Sequence, residues 1–295
     1  MERIKHFQMD SGVFAERFDR EPFTFSHTLS SLPAFDRDSL QALAKAYGES
    51  PQDYFVSESA PKPNSDFFSV PHGQLTPHQA MQVMTSTAVR ILLKRPENHD
   101  SRFRAILDEL FAQVMTLRGP LPGERLERLE GAVFITSARS ITPFHFDPEI
   151  GFFSQIEGEK IYHVYPPSVI SETELEDFYL LGEVNIGQIP LQNRDPAREH
   201  VIALSPGRAF HQPQNAPHWV QTRDDVSVSY SMVFETNLTR AAGRTRAFNH
   251  YVRRTGLQPV QLGSRPRMDD IKARSMRALI PLRRQAGRVL RRIRP

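Results

Sequence analysis

The spacing of apolar residues divides the chain into a helical first part and a strand-rich second part. Before residue 130, apolar side chains recur every three or four residues, which is the period of an amphipathic helix. This pattern predicts helices over residues 40–47, 80–93 and 103–117. Thr76-Pro77 and Asp100-Ser101 have the composition of helix starts. The Pro- and Ser-rich stretch 49–74 between the first two helices is predicted to be a loop, either a lid over a pocket or an ordinary connection.

From residue 130 the pattern changes to short segments rich in β-branched and aromatic residues, separated by Gly, Pro or Asp turns. Strands are predicted over residues 132–137, 152–156, 160–165, 200–204, 218–222 and 226–234. In the last of these, serines alternate with Val and Tyr, as expected of a strand with two unlike faces. One predicted helix, around residues 173–181, interrupts the series. Strands of this number and spacing predict a sandwich or barrel.

The composition fits a globular protein and limits its chemistry. A chain of 295 residues with 39% hydrophobic content can bury a sizeable core. Cysteine is absent, which excludes disulfides, thiolate metal sites and a cysteine nucleophile, so a metal must be held by His, Asp or Glu. The first ten residues do not have the pattern of a signal peptide, and no apolar run approaches the roughly twenty residues of a membrane span. We therefore expect a cytoplasmic protein without a transmembrane segment.

Charge is distributed unevenly along the chain. Residues 240–295 contain sixteen Lys and Arg but only two acidic residues, a net charge of +14. Because the whole chain carries +3, the preceding 239 residues carry −11. The end of this tail, residues 282–293, has the pattern of an amphipathic helix. Homodimerisation or packing through C-terminal helices is the favoured interpretation, and contact with nucleic acid, an anionic surface or an acidic peptide is the alternative.

A His-x-Asp pair lies in the strand-rich part, within the segment Thr142-Pro-Phe-His-Phe-Asp147. On a strand, His145 and Asp147 point to the same face because side chains alternate with period two. One strand then supplies two ligands to one ion, and the third must come from a neighbouring strand. His218, seventy-one residues after Asp147, is the candidate. Two imidazoles and one carboxylate on one side of a divalent ion are typical of non-haem Fe(II) oxygenases.

The segments around these residues resemble one enzyme family. The stretch Phe152-Phe-Ser-Gln-Ile-Glu-Gly-Glu-Lys160 follows the His-x-Asp pair, and Gly207 precedes His218 by eleven residues with a proline between them. Together these parts resemble the JmjC and cupin-like 2-oxoglutarate hydroxylases, especially the asparaginyl hydroxylase that inhibits the hypoxia-inducible factor. The resemblance covers about residues 130–235.

The resemblance implies both a fold and a site. The fold would be mainly β with flanking helices: a double-stranded β-helix (jelly roll, cupin-like) core at 130–236, a mostly helical region at 1–129 that packs on it, and a basic helical region at 237–295. His145, Asp147 and His218 would bind Fe(II) and form the catalytic centre. Thr142 and Lys160 would bind the distal carboxylate of the co-substrate 2-oxoglutarate. The chain would then be an Fe(II)- and 2-oxoglutarate-dependent dioxygenase that hydroxylates a peptide, a protein side chain or a small metabolite.

The residues alone leave other interpretations open. Without the resemblance, the favoured interpretation of Lys160 is a solvated strand residue, and that of Thr142 is the cap of a turn. A lysine within a β-like run is costly to bury unless an anion reaches it, and co-substrate binding would supply that anion. The alternative function is that of a metal-binding, cupin-fold regulatory or binding protein without oxygenase activity. Such a protein would not need an anchor for a second carboxylate.

Several positions depart from the pattern of the asparaginyl hydroxylase. Gly151 stands where that enzyme has an asparagine that contacts the co-substrate, and Arg208 follows Gly207 where an acidic residue is usual. Ser229 or Ser231 stands in place of a further asparagine. The metal ligands are unaffected by these differences, but the secondary contacts to 2-oxoglutarate and the identity of the substrate are not implied.

Overall fold

The computed structural model describes residues 5–180 and 186–293, the last thirteen of these only as helical backbone. The described residues form seven α-helices: α1 Ser11–Arg17, α2 Arg37–Ala46, α3 Pro77–Val83, α4 Ser101–Arg118, α5 Glu172–Leu180, α6 Asn237–Arg254 and α7 Pro266–Ile293. They form twelve strands: β1 Phe7–Gln8, β2 Phe23–His27, β3 Tyr54–Ser57, β4 Arg90–Lys94, β5 Leu126–Thr136, β6 Ile141–His145, β7 Ile150–Glu157, β8 Lys160–Val164, β9 His200–Leu204, β10 Arg208–Gln212, β11 His218–Thr222 and β12 Ser227–Thr236.

The strands build two antiparallel sheets that face each other. The larger sheet has the order β1-β2-β10-β7-β12-β5-β4-β3, and the smaller has the order β6-β11-β8-β9. Thr136 of β5 and Thr222 of β11 are hydrogen-bonded across the gap, with 2.8 Å between their hydroxyl oxygens. All six predicted strands are present, and the predicted helix at 173–181 is α5, although residue 181 lies outside the described residues. The prediction of a mainly β jelly roll with flanking helices is confirmed.

The two faces of the larger sheet bury different clusters, because successive side chains on a strand point in opposite directions. Phe152 of β7 and Tyr230 of β12 point outward and pack with α2 and α4 in the largest apolar cluster. Phe153 of β7 points inward and packs between the sheets with Tyr162, Leu204, Phe210 and Val220. The space between the two sheets is therefore lined by residues of both, and aromatic rings fill part of it.

The predicted helix over residues 80–93 is wrong in its second half. Helix α3 ends at Val83, and β4 begins at Arg90. Within β4, Ile91 and Leu93 are buried while their neighbours are less so, which is the period of a strand. Strand β4 pairs with β5 along its whole length, from Arg90 opposite Thr136 to Lys94 opposite Ala132. Pairing with a distant strand therefore overrides the helical spacing of these apolar residues.

The region before residue 130 is less separate from the core than its helices suggest. It contributes β1 and β2 to one edge of the larger sheet and β3 and β4 to the other. The short strands β1 to β4 were not predicted. The division into regions at 1–129, 130–236 and 237–295 stays a prediction.

The basic C-terminal region begins with a helix that is paired to an acidic one. Arg246 and Arg253 of α6 form ion pairs with Glu172 and Glu176 of α5, and His250 is hydrogen-bonded to Asp177. Much of the positive charge of α6 is therefore neutralised within the chain. Helix α7 packs on α6, and the predicted helix at 282–293 continues its backbone, with side chains outside the described part. Among the helices of the described residues, none has the length and apolar character needed to cross a membrane.

Candidate metal centre

Strands β6 and β11 bring the two predicted histidines together. His145, the last residue of β6, lies directly opposite His218, the first residue of β11, and their ring centroids are 4.2 Å apart. Asp147 follows two residues after His145, and its main-chain oxygen accepts a hydrogen bond from the Asn215 amide at 2.8 Å. One ligand atom from each of His145, Asp147 and His218 lies within 4.8 Å of the others. Within the described residues, no other group of His, Asp and Glu is arranged to hold a metal.

Hydrogen bonds to the backbone fix which nitrogen of each histidine faces the centre. The Nδ1 of His145 lies 2.7 Å from the Pro143 oxygen, and the Nδ1 of His218 lies 3.1 Å from the Ala216 oxygen. A carbonyl oxygen only accepts, so in the neutral ring each Nδ1 carries the proton and each Nε2 has the free lone pair. Both Nε2 atoms lie 3.8 Å from an oxygen of Asp147. Two metal–ligand bonds of about 2.1 Å each span up to about 4.2 Å. The nitrogen–oxygen separations are shorter than this, so one ion can bind the two histidines and Asp147 together.

Burial keeps the first histidine neutral. It lowers the pKa of the His145 imidazole to about 4, and the neighbouring His218 lowers it further while Asp147 opposes the effect. A metal binds the neutral imidazole, because only that form has a free lone pair. The centre is therefore ready to accept a cation at neutral pH without first releasing a proton from His145.

A glutamine that the sequence interpretation missed orients the carboxylate. Gln212, the last residue of β10, is buried and its Nε2 donates a hydrogen bond to Oδ2 of Asp147 at 3.1 Å. Outer hydrogen bonds of this kind hold a ligand in position and tune its basicity. The Oε1 of Gln212 has no partner among the described residues. Strand β10 was not predicted, so no pattern in the sequence pointed to this side chain.

The loop before α3 covers the histidine side of the centre. The Phe67 ring packs on the His145 ring with centroids 4.5 Å apart. The loop is tied down by a hydrogen bond from the Phe144 amide to the Pro63 oxygen at 2.8 Å, and by one from the Phe67 amide to Gln188 at 3.0 Å. The next residue, Phe68, is 64% exposed. The 49–74 segment therefore forms part of the wall of the site and carries an aromatic side chain at its rim.

A β-bulge turns Thr142 toward the same interior as the histidines. The register of β6 and β11 shifts between His218 and Val220, so that Thr142 lies opposite Val220 although His145 lies opposite His218. Val220 packs in the cluster between the sheets. Residues that are opposite on neighbouring strands share a face, so Thr142 also faces inward.

Lys160 lies deeper between the sheets, opposite Thr222 of β11. It is only 4% exposed, and its ammonium lies 5.7 Å from the centroid of the Phe134 ring. Burial lowers the pKa of Lys160 to about 7, with a further contribution from Arg90, and no carboxylate of the described residues opposes this. The interpretation of Lys160 as a solvated strand residue is wrong.

Two other histidines on strands, His163 and His211, lie outside the candidate metal centre. His163 faces the opposite side of β8 from Lys160, where it stacks on Trp219 at 3.7 Å and lies 3.2 Å from Glu199. His211 is fully buried on the outer face of the larger sheet, and its Nε2 accepts a hydrogen bond from the Asp19 amide at 2.9 Å. Both have structural contacts that account for their positions.

Comparison with solved structures shows the fold. The crystal structure of Escherichia coli YcfD matches 94% of this chain and 69% of its own, with a TM-score of 0.52 and 15% identity. A structure of the same E. coli protein, described as a ribosomal oxygenase in complex with cobalt and 2-oxoglutarate, matches 93% of this chain and 67% of its own, with a TM-score of 0.51 and 17% identity. The chain therefore shares its cupin-like jelly-roll fold with YcfD. Within this fold, His145, Asp147 and His218 of the chain lie together.

The curated relatives match a smaller part of the chain. HSPB1-associated protein 1 of Rattus norvegicus is 28% identical over 137 residues, which are 43% of this chain and 28% of the relative. The Homo sapiens protein of the same name gives the same identity and coverage. The matched segment thus spans less than a third of the relatives' length. No family model matches the chain. The finer resemblance to the asparaginyl hydroxylase stays a prediction.

Proposed function

We propose that the chain is an Fe(II)- and 2-oxoglutarate-dependent oxygenase that hydroxylates a peptide, a protein side chain or a small metabolite. The observation that carries the proposal is the position of Lys160, which is buried between the sheets beside a His-Asp-His centre and has no acidic partner among the described residues. Buried charges are normally paired, so Lys160 requires an anion from outside the described protein. A metal centre alone would not require one.

The centre fits iron through its donor set. Two neutral imidazoles and one carboxylate on one side of an Fe(II) ion leave its other positions open. His145, Asp147 and His218 supply these ligands, and Gln212 holds the carboxylate in place. With 2-oxoglutarate, bound iron supplies the oxidising power that inserts oxygen from O₂ into a C–H bond as the co-substrate is decarboxylated to succinate.

The position of Lys160 suits the far end of a dicarboxylate. Along β11, its partner Thr222 lies four residues beyond His218, a distance of roughly 13 Å on an extended strand. A lysine side chain and a five-carbon diacid can together fill this interval. The ammonium of Lys160 and the hydroxyl of Thr142 would bind the distal carboxylate, while the keto acid end reaches the metal. The aromatic walls, among them Phe67 and Phe153, would exclude water from the reacting carbon.

The comparisons support the choice of ligands. The E. coli protein that shares the fold was solved with cobalt and 2-oxoglutarate, which are the kinds of ligand that the triad and Lys160 would take. The substrate of this chain would enter past Phe68 and the neighbouring 186–199 segment. Homodimerisation through the C-terminal helices remains part of the proposal, and the ion pairs between α5 and α6 do not favour nucleic-acid binding by α6.

Turnover of the co-substrate tests the proposed activity. We expect purified protein with Fe(II), ascorbate and 2-oxoglutarate to release succinate slowly even without its substrate, and His145→Ala to abolish this release. The variant Lys45→Met, which changes an exposed lysine of α2, serves as the control and should match the wild type. Tight iron binding with no succinate above the His145→Ala level would instead favour a metal-binding cupin-fold protein without oxygenase activity.

A further inference from the structure

A second buried cation lies close to Lys160. Arg90, the first residue of β4, is 8% exposed and lies opposite Thr136 of β5. Thr136 points between the sheets, since its hydroxyl reaches Thr222 of the other sheet. Residues opposite each other on paired strands share a face, so Arg90 points into the same interior.

The guanidinium of Arg90 reaches across to the smaller sheet beside Thr142. Its Nη1 donates a hydrogen bond to the Ile141 oxygen at 3.0 Å, and Ile141 is the residue immediately before Thr142. Thr136, the partner of Arg90 on β5, is hydrogen-bonded to Thr222, which is the partner of Lys160 on β11, and Arg90 is near enough to lower the pKa of Lys160. Arg90 therefore lies beside the space that separates the metal centre from the lysine.

Neither cation has an acidic partner in the described part of the chain. Burial is the cause that lowers the pKa of Arg90 to about 10, with no carboxylate opposing it, as for Lys160. Elsewhere, the partly buried Arg194 and Arg128 are paired with Glu174 and Glu149, and the buried Lys272 donates hydrogen bonds to the Asn249 side-chain oxygen and the Val260 main-chain oxygen. Two like charges held together without a counter-ion oppose folding, so their retention points to a ligand that carries negative charge.

We propose that Arg90 is a second cationic contact to the distal carboxylate of 2-oxoglutarate, so that the carboxylate lies between Arg90, Lys160 and Thr142. The proposal rests on the function proposed above and adds a residue to it. A guanidinium has five N–H donors in a planar fork, of which Arg90 uses one for Ile141. The remaining donors would recognise the planar carboxylate and make the pocket selective for a 2-oxo acid with a second carboxylate.

Binding measurements separate this role from a structural one. Affinity is measured anaerobically by calorimetry on the protein loaded with Mn(II), using 2-oxoglutarate and 2-oxobutyrate, which lacks the distal carboxylate. We expect Arg90→Met to bind 2-oxoglutarate about 10- to 100-fold more weakly than the wild type, as for loss of a hydrogen-bonded charge pair. Arg90→Lys, which keeps the charge but not the fork, should lose less. Arg223→Met, at a half-exposed arginine after β11, is the matched control and should bind as the wild type does.

The affinity for 2-oxobutyrate identifies the contact. If Arg90 touches the distal carboxylate, Arg90→Met should leave 2-oxobutyrate binding unchanged, whereas a distorted pocket would weaken both ligands equally. Two results would overturn the role of Arg90 and leave the proposed function standing. The first is equal weakening of both ligands in Arg90→Met. The second is full affinity for 2-oxoglutarate in Arg90→Met and Arg90→Lys, together with lost affinity in Lys160→Met. Absence of 2-oxoglutarate binding by the wild type would overturn both.

Discussion

Replacing Lys160 with methionine is expected to stabilise the protein while it weakens co-substrate binding. A lysine in the unfolded chain has a pKa of 10.5, and burial lowers that of Lys160 to about 7. The unfolded state therefore binds the proton more tightly, and folding is opposed at every pH below the unfolded value. Since a tenfold difference in proton affinity corresponds to about 1.4 kcal/mol, the cost is about 4 kcal/mol at pH 7 and about 2 kcal/mol at pH 9.

The contact with an aromatic ring offsets part of this cost. The Lys160 ammonium lies 5.7 Å from the centroid of Phe134, and such a contact is worth about 1 kcal/mol. Methionine has a similar length and no charge, so Lys160→Met should raise the free energy of unfolding by about 3 kcal/mol at pH 7. At pH 9 the amine of the folded protein is neutral and the cationic contact is lost, so the gain should be about 2 kcal/mol. Wild-type stability should rise with pH over this range, and the difference between the two proteins should shrink.

Urea unfolding of the metal-free protein at pH 7 and pH 9, followed by circular dichroism, measures both values. Lys45→Met is the control, because Lys45 is exposed at the end of α2, and it should change stability by less than about 0.5 kcal/mol. Addition of 2-oxoglutarate with Mn(II) should stabilise the wild type and narrow its difference from Lys160→Met. Two outcomes would show that Lys160 is not a destabilising buried cation: a Lys160→Met protein that is less stable than the wild type at pH 7, or a gain in stability that does not depend on pH.

Three further predictions concern the surroundings of the site and the core. Gln212→Met should lower the affinity for Co(II) by roughly 10- to 100-fold in equilibrium dialysis, because Asp147 loses its hydrogen-bond donor. The control Arg208→Met, at an exposed position on the same strand, should not; equal affinities in the two variants would show that Gln212 does not orient the carboxylate. Burial lowers the pKa of His27 to about 4 and that of His211 to about 3. Each histidine should therefore lower the free energy of unfolding by about 1.4 kcal/mol per pH unit as the pH falls from 6.5 toward 4.5. A free energy of unfolding in urea that does not change with pH over this range would contradict this prediction. A Cβ at Gly131 would lie 2.6 Å from the Tyr230 hydroxyl, so Gly131→Ala should lower the free energy of unfolding by about 1–3 kcal/mol, measured by thermal unfolding. A Cβ at Gly48 would have no described atom within 4 Å apart from its chain neighbours, so Gly48→Ala should lower it little; similar losses in both variants would contradict the steric argument.

Local patterns were sufficient for the strands of the core and for the metal centre. The alternation in β12 and the short apolar runs of β7, β8 and β11 predict strands directly, because each strand is flanked by its own turn residues. The His-x-Asp spacing predicts that His145 and Asp147 point the same way, and His145 Nε2 lies 3.8 Å from an oxygen of Asp147, although β6 ends at His145. These features depend on residues that are near one another in sequence or on a known family spacing.

The features that the sequence did not predict depend on which distant strands pair. Arg90 is fifty-five residues before His145, and its direction is set by its pairing with Thr136. Gln212 becomes a neighbour of Asp147 only because β10 pairs with β7. The inward direction of Thr142 depends on a bulge in β6 and β11. Periodicity along one segment carries no information about such partners.

The most direct test of the central claim is anaerobic titration of the protein with Fe(II) and 2-oxoglutarate, followed by visible absorption. We expect a weak charge-transfer band that requires both additions and is absent in Asp147→Ala. In Lys160→Met the band should appear only at much higher concentrations of 2-oxoglutarate. Iron that binds to the wild type without producing the band at any 2-oxoglutarate concentration would contradict the claim that this centre and Lys160 form one co-substrate site.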